Sequence, residues 1–327
     1  MSILHPEGFH GAGRTRRYFE GWYLKVVSAD RARRWAIIPG LFLSPQGTAE
    51  AFVQVLDGVT ARTWFVPYGR EDFQAAEDRF EVRVGGSRFS SAGFTLAGPE
   101  LPLTGEVRFS ELTPWPVSWR SPGIMDWYAY VPFMECYHGV VSLHHRLEGE
   151  LRTREGERVP LDGGTGYLEK DWGQAFPSGY VWLHSNTFAQ GRVCLVASIA
   201  IIPWLFTSFP GFIVGLWVEG TLHRFATYTG ARTRSVAIDD REVRWELEDR
   251  TFRLSLTAER RRGGLLHAPL RTAVHKRVEE TLDSRVHVRL VERRSGAVRF
   301  EGVGECAGLE VHGDVSRLTG HPRPGRW

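Results

Sequence analysis

The chain has 327 residues, with 41 Lys plus Arg against 38 Asp plus Glu, a formal charge of +3, 42% hydrophobic residues and 24% charged ones. That balance belongs to a globular protein and excludes disorder, collagen-like repeats and small disulfide-stapled scaffolds. At roughly 150 residues per domain the length suits about two domains, each able to bury its own core.

Lys25, Lys170 and Lys276 are the only lysines, so arginine supplies nearly all the positive charge, spread among the acids rather than gathered into a stripe. No nucleic-acid partner is expected from such a distribution. Cys136, Cys194 and Cys306 are odd in number and far apart, which points to free buried thiols in a reducing compartment rather than to disulfides or zinc. The opening stretch MSILHPEGFHGAGRTRRYFEGW has no apolar run after its basic residues, so a secretory signal is not expected and the cytoplasm is the expected location.

Along the chain helical periodicity is scarce, and only Glu71 to Asp78 suggests a short helix. Strands are expected at 18–27, 35–43, 51–55, 80–84, 88–96, 105–109 and 135–144. A second series is expected at 180–188, 193–201, 212–218, 221–228, 244–247, 252–259, 285–292 and 298–306. Many short strands with few helices favour antiparallel sandwiches or up-and-down barrels, and roughly eight strands per half suits two barrels. The polar turn Arg152 to Gly164 lies near the middle and predicts domains at 1–151 and 152–327.

Ile199 to Trp217 is long enough for a membrane helix, but Pro203, Pro210, Gly211 and Gly215 would break its backbone ladder where lipid offers no partner. It reads as two buried strands joined by an apolar loop. The tip, Trp204 to Phe206 with Phe209 and Phe212, leaves three readings open: a packed hairpin, a ligand entrance, or a peripheral membrane contact through 203–212.

No Rossmann turn, P-loop, GxSxG elbow or HExxH helix is present, so neither a cofactor nor a metal is expected. Glu135-Cys136-Tyr137-His138 would place its acid and its imidazole together on a helix, but on a strand residues three apart point oppositely. Tyr180-Val181-Trp182-Leu183-His184-Ser185-Asn186-Thr187-Phe188 alternates so that Tyr180, Trp182, His184, Asn186 and Phe188 would share one face. Such a face could hold a ring and bond its hydroxyls; the alternative is a solvent-facing or interdomain polar ladder. Glu169-Lys170-Asp171-Trp172-Gly173 reads as an acid-base-acid loop leading to a Trp-Gly turn, partly buried by its aromatics. Burial there would tune an acid or base for work at neutral pH.

Phe19-Glu20-Gly21-Trp22-Tyr23-Leu24-Lys25-Val26, then Pro132-Phe133-Met134-Glu135-Cys136-Tyr137-His138-Gly139-Val140-Val141-Ser142, then Gly166-Tyr167-Leu168-Glu169-Lys170-Asp171-Trp172-Gly173 with Phe176-Pro177, resemble the tocopherol cyclase family in order and spacing. The EKDWG run is the most specific element, and Leu24 stands where an aromatic is expected. The resemblance implies a mainly β fold of two lipocalin-like antiparallel β-barrel or sandwich domains in tandem. It also implies an isomerase that closes a prenylated hydroquinone to a chromanol, as in tocopherol biosynthesis, without a redox cofactor. Such chemistry needs an acid for the alkene, aromatic faces for the tertiary cation, exclusion of water and a group that takes the phenol proton.

On that resemblance Glu135 or Asp171 is the proton donor, and His138 or His184 the phenol base or orienter. Asn186 anchors a hydroxyl, and Trp22, Tyr23, Trp172 and Trp182 form the aromatic wall. Glu20 and Lys170 are alternatively a structural ion pair tying strand to loop. The missing plastid targeting extension suits a bacterial-type cytoplasmic protein. Two rival functions stay open: a non-catalytic carrier of a lipophilic molecule, and a terpenoid or carotenoid hydratase, in which water traps the same cation.

Overall fold

The computed structural model describes residues 2–270 and 273–319. Its first sheet is built from β1 (Tyr18–Val27), β2 (Arg34–Leu43), β3 (Ala49–Asp57), β4 (Thr63–Tyr68), β5 (Phe73–Ala75), β6 (Glu81–Val84), β7 (Ser87–Ser90), β8 (Gly93–Leu96), β9 (Leu103–Thr113), β10 (Cys136–Thr153), β11 (Arg158–Pro160) and β12 (Gly164–Gly173). The strands run in the order β4, β3, β2, β1, β12, β10, β9, β8, β7, β6, β5, with β11 added on β10. Consecutive strands pair antiparallel, and β6 packs back across β2 and β3, curling the sheet into a barrel-like wall.

The second sheet contains β13 (Gly179–Ser185), β14 (Thr187–Phe188), β15 (Val193–Trp204), β16 (Thr207–Val218), β17 (Thr221–Ala226), β18 (Arg232–Ile238), β19 (Glu242–Glu248), β20 (Phe252–Glu259), β21 (Gly264–Leu270), β22 (Ala273–Glu292) and β23 (Val298–Gly313). Its order is β17, β16, β15, β13, β23, β22, β20, β19, β18, with β14 on β23 and β21 on β22. The mainly β, lipocalin-like architecture expected from the sequence is the one observed.

The first compact unit joins Met1–Phe176 to Gly264–Val278, and the second joins Pro177–Gly263 to the chain from Glu279 onward. The divide therefore does not fall in the turn at 152–164. That turn carries β10 through β11 into β12, whose pairing with β1 and β10 puts residues 164–173 at the centre of the first sheet. The β21 end of the following hairpin also belongs to the first unit. The Gln54 amide brackets the His267 backbone, accepting from its N–H at 2.7 Å and donating to its carbonyl at 3.3 Å. The His267 ring stacks on Phe65 at 4.4 Å.

Each unit has its own apolar core. In β1, β-branched and aromatic residues alternate so that Tyr18, Trp22, Leu24 and Val26 enter the first core. In β13 and β15, Val181, Leu183, Leu195, Ala197 and Ile199 enter the second. The helix expected at 71–78 is absent: a single 3-10 turn at Arg70–Asp72 leads into β5, because Phe73 is drawn into the core opposite Val84. The three cysteines are free thiols, with Cys194 and Cys306 buried and Cys136 partly so. No helix among the described residues is long and apolar enough to cross a membrane. Residues 199–217 instead lie in the β15–β16 hairpin.

Candidate active site

The charged run Glu169-Lys170-Asp171, expected in a loop, lies inside β12, and the pleat of the strand divides it. Residues directly opposite in a ladder share a face. Lys170 lies opposite Trp22 and Trp172 opposite Glu20, on the side of the first core. Glu169 lies opposite Tyr23 and Val140, while Asp171 lies opposite Gly21 and His138, on the other side. One five-residue run therefore builds two separate polar devices. Gly173 ends it at φ +147°, where a Cβ would fall 2.3 Å from the Glu135 carbonyl, so only glycine fits.

On the core side Lys170 is fully buried, with its Nζ 2.5 Å from Glu20 Oε1 and 2.7 Å from His10 Nδ1. It also donates to the Gly8 carbonyl and sits over the rings of Trp22 and Trp172, 4.9 and 4.6 Å from their centroids. Glu20 additionally accepts from the Tyr18 hydroxyl and, at 3.0 Å, from the His10 backbone N–H. Trp172 is flanked by the parallel rings of His10 at 4.2 Å and Tyr137 at 5.5 Å. Burial pushes Lys170 down against the pull of Glu20, whereas Lys170 and His10 hold Glu20 below its ordinary range despite burial. This is the structural ion pair that the sequence reading kept as an alternative, and the segment around residues 7–10 closes over it.

The opposite side carries acid–base groups in reach of one another. His138 Nδ1 is 2.9 Å from Asp171 Oδ1, and its Nε2 is 3.5 Å from Glu169 Oε2. The Tyr167 hydroxyl donates to Glu169 Oε2 at 2.6 Å. Burial by itself would push the His138 imidazole down, but Asp171 and Glu169 outweigh it and hold the group at about 9. At neutral pH His138 is therefore an imidazolium between two carboxylates. Asp171 keeps 30% of its side-chain surface exposed, against 4% for Glu169 and 14% for His138, so it is the group a substrate can reach.

His138, Glu169 and Asp171 each offer one ligand atom within 4.8 Å of the others, a spacing that a divalent cation could accept. Hydrogen bonds from His138 and Tyr167 occupy the same carboxylates without one.

The raised imidazole makes a pH prediction. A group whose folded value lies above its ordinary 6.5 adds stability that is fully present below 6.5 and is lost as pH rises through about 9. The loss expected from His138 is about 3 kcal/mol. Urea titrations across this window should show that slope in the native protein and not in His138→Gln. An unchanged slope in the variant would sink the assignment.

Of the expected site residues, the structure brings His138 and Asp171 together and adds Glu169 and Tyr167, which sequence reasoning missed as members. Glu135 lies beside them, at the bend before β10. Its carbonyl accepts from the Gln174 N–H at 2.8 Å, while burial, Asp171 and Glu135 together push the Cys136 thiol up. The expected aromatic wall is not one surface. Trp22 and Trp172 face the core, whereas Tyr23, one residue from Trp22, faces the opposite way with Glu169.

Trp182, His184 and Asn186 lie in the second unit. Tyr180, Trp182 and His184 share the face of β13 away from its core, and His184 Nε2 is 3.7 Å from Cys194 Sγ. The expected alternation fails at Asn186. The chain breaks between β13 and β14 there, and Phe188 joins the core instead.

A mainly β protein with two lipocalin-like units and a buried His–carboxylate network on a central strand is thus defined by fold and site. A family model described as tocopherol cyclase-like matches residues 106–313, and the chain belongs to that family. The chain is 26% identical over 209 residues to a probable chloroplastic tocopherol cyclase of Oryza sativa subsp. japonica, covering 60% of this chain and 44% of that protein. It is 25% identical over 202 residues to the chloroplastic tocopherol cyclase of Zea mays, covering 57% and 41%. The matched region thus spans less than half the length of these relatives.

Among solved structures, a putative AttH from Nitrosomonas europaea superposes with a TM-score of 0.56 at 14% identity, covering 94% of both chains. CghA with Sch210972 gives 0.57 at 11% identity, covering 90% of this chain and 88% of that one. These two likenesses establish the fold.

Proposed function

We propose that the protein is a cofactor-independent isomerase that cyclises a prenylated hydroquinone to a chromanol. The observation that carries this reading is the Asp171–His138–Glu169–Tyr167 network on the strand bearing the EKDWG run. An alkene is a very weak base, so its donor must be a strong acid. The transferable proton is the one that His138 Nδ1 shares with Asp171 across 2.9 Å, and Asp171, the more exposed of the two, delivers it to the alkene.

Asp171 gives its proton to the less substituted alkene carbon, and a tertiary cation forms at the other. The phenol oxygen bonds to that cation, and the phenol proton returns to the carboxylate. Substrate and product are isomers, so no redox partner is required. Glu169, held by Tyr167 and beside Nε2 of His138, keeps the imidazole charged and oriented.

The test is incubation of purified protein with prenylated hydroquinones under reducing conditions in heavy water. The expected product is an isomer with one carbon-bound deuterium. A product heavier by one molecule of water would assign hydration, because water would then have trapped the cation. Binding without turnover would assign a carrier. Loss of turnover on chelation would assign the three ligand atoms to a cation.

A further inference from the structure

The β15–β16 ladder runs without a break from Val193 opposite Val218 to Trp204 opposite Thr207, so only Leu205 and Phe206 form the turn. Of the three readings that the sequence leaves open, a packed hairpin does not describe the turn itself. Phe206 is fully exposed and Leu205 is 74% exposed. Leu205 has φ +50°, in the left-handed region where asparagine or glycine is the ordinary choice. Water and backbone both disfavour the residue that stands there. From Ile199 to Trp217 no residue carries a charge. Behind the turn Trp204 and Phe209 pack edge to face at 6.1 Å, and the Arg317 guanidinium donates to Ser208 Oγ at 2.6 Å.

We propose that this tip is an interfacial membrane anchor, which inserts Leu205 and Phe206 below the headgroups of an anionic bilayer. Trp204 and Phe209 then lie at headgroup level and Arg317 meets lipid phosphate. Phe209 lies three residues past Phe206, or about 10 Å at the usual rise, which matches the depth of interfacial insertion, and Trp204, directly before the turn, packs back on it. The backbone groups of the inserted strands are already paired in the ladder, so lipid has few of them to desolvate. A protein partner fits less well. A stable interface needs about 800 Å² from each side, and a convex two-residue tip supplies a fraction of that. A bilayer imposes no shape requirement. The inference stands apart from the proposed reaction, since a carrier of lipophilic molecules would need the same access.

Vesicles of phosphatidylcholine, with and without phosphatidylglycerol, test it by flotation. The native protein should float with both and more strongly with the anionic vesicles. The Leu205→Asn/Phe206→Asn double variant should lose roughly tenfold or more in partitioning. Its melting temperature should be unchanged or higher, because asparagine suits the left-handed turn. Arg317→Gln should weaken binding to the anionic vesicles alone. Brominated lipid should quench the native protein more than Trp204→Phe. Equal flotation of native and double-variant protein, or no flotation of the native protein, overturns the anchor. A dimer abolished by the double variant, with no flotation, overturns it in favour of a second copy of the chain.

Discussion

Asp171→Asn should lower the rate of the deuterium-incorporating cyclisation by about 10²–10⁴-fold, the range that positioned proton transfer commonly contributes. Asparagine keeps an acceptor facing His138 Nδ1, at 2.9 Å in the native protein, so the variant retains the local geometry while losing the transferable proton. Two companions make the result specific. Tyr167→Phe removes the hydroxyl that donates to Glu169 at 2.6 Å, and it should cost far less, because it touches only the group that supports the imidazolium. Glu135→Gln should leave the rate within a few-fold, since Glu135 sits at the bend before β10 and the three groups that converge within 4.8 Å are His138, Glu169 and Asp171. An Asp171→Asn enzyme that retained a tenth or more of native turnover would remove Asp171 from the donor role. The reverse ranking of Glu135→Gln and Asp171→Asn would transfer that role to Glu135.

The sequence made the fold class legible because aromatic and β-branched runs between Gly, Pro and Asp turns leave few other options. Strands 18–27 and 252–259 were placed to the residue. The EKDWG run was misplaced because three adjacent charges are depleted in strands, and central strands most of all. What overrides that propensity is pairing on both sides of β12. Lys170 and Glu20 satisfy each other on one face, and His138 balances Asp171 and Glu169 on the other. Such compensation comes from residues 31–150 positions away, and no local pattern records it. His138 and Asp171 were legible as chemistry but not as neighbours, since their adjacency is a register fact. Trp22 and Tyr23 show the converse: reading them as one wall overlooked the period of two. The divide was drawn too early for the same reason, because a polar turn at 152–164 does not reveal that the strand after it returns to pair with β1.

The core side of the same strand carries the largest expected loss of stability. Lys170→Met keeps most of the apolar stem between Trp22 and Trp172 but leaves the buried Glu20 without its ammonium partner and with only the His10 ring, 3.5 Å away, to offset its charge, and should cost about 3–5 kcal/mol in urea unfolding. The Tyr18 hydroxyl and the His10 N–H still bond to Glu20, yet neither neutralises it. Pairing the change with Glu20→Gln removes the stranded charge. The Glu20→Gln/Lys170→Met double variant should therefore be more stable than Lys170→Met alone, with a coupling of about 2 kcal/mol or more in the double-mutant cycle. The Lys170 ammonium also holds the Gly8 carbonyl, and the Trp22 indole N–H holds that of Glu7 at 2.9 Å. Loss of the ammonium should release residues 7–10, read as faster proteolysis of the N-terminus before any global unfolding. Additive single-variant costs would show that the two charges act independently. A near-neutral Lys170→Met would show that the indole faces and the N-terminal segment, rather than the ion pair, hold this end of the first core.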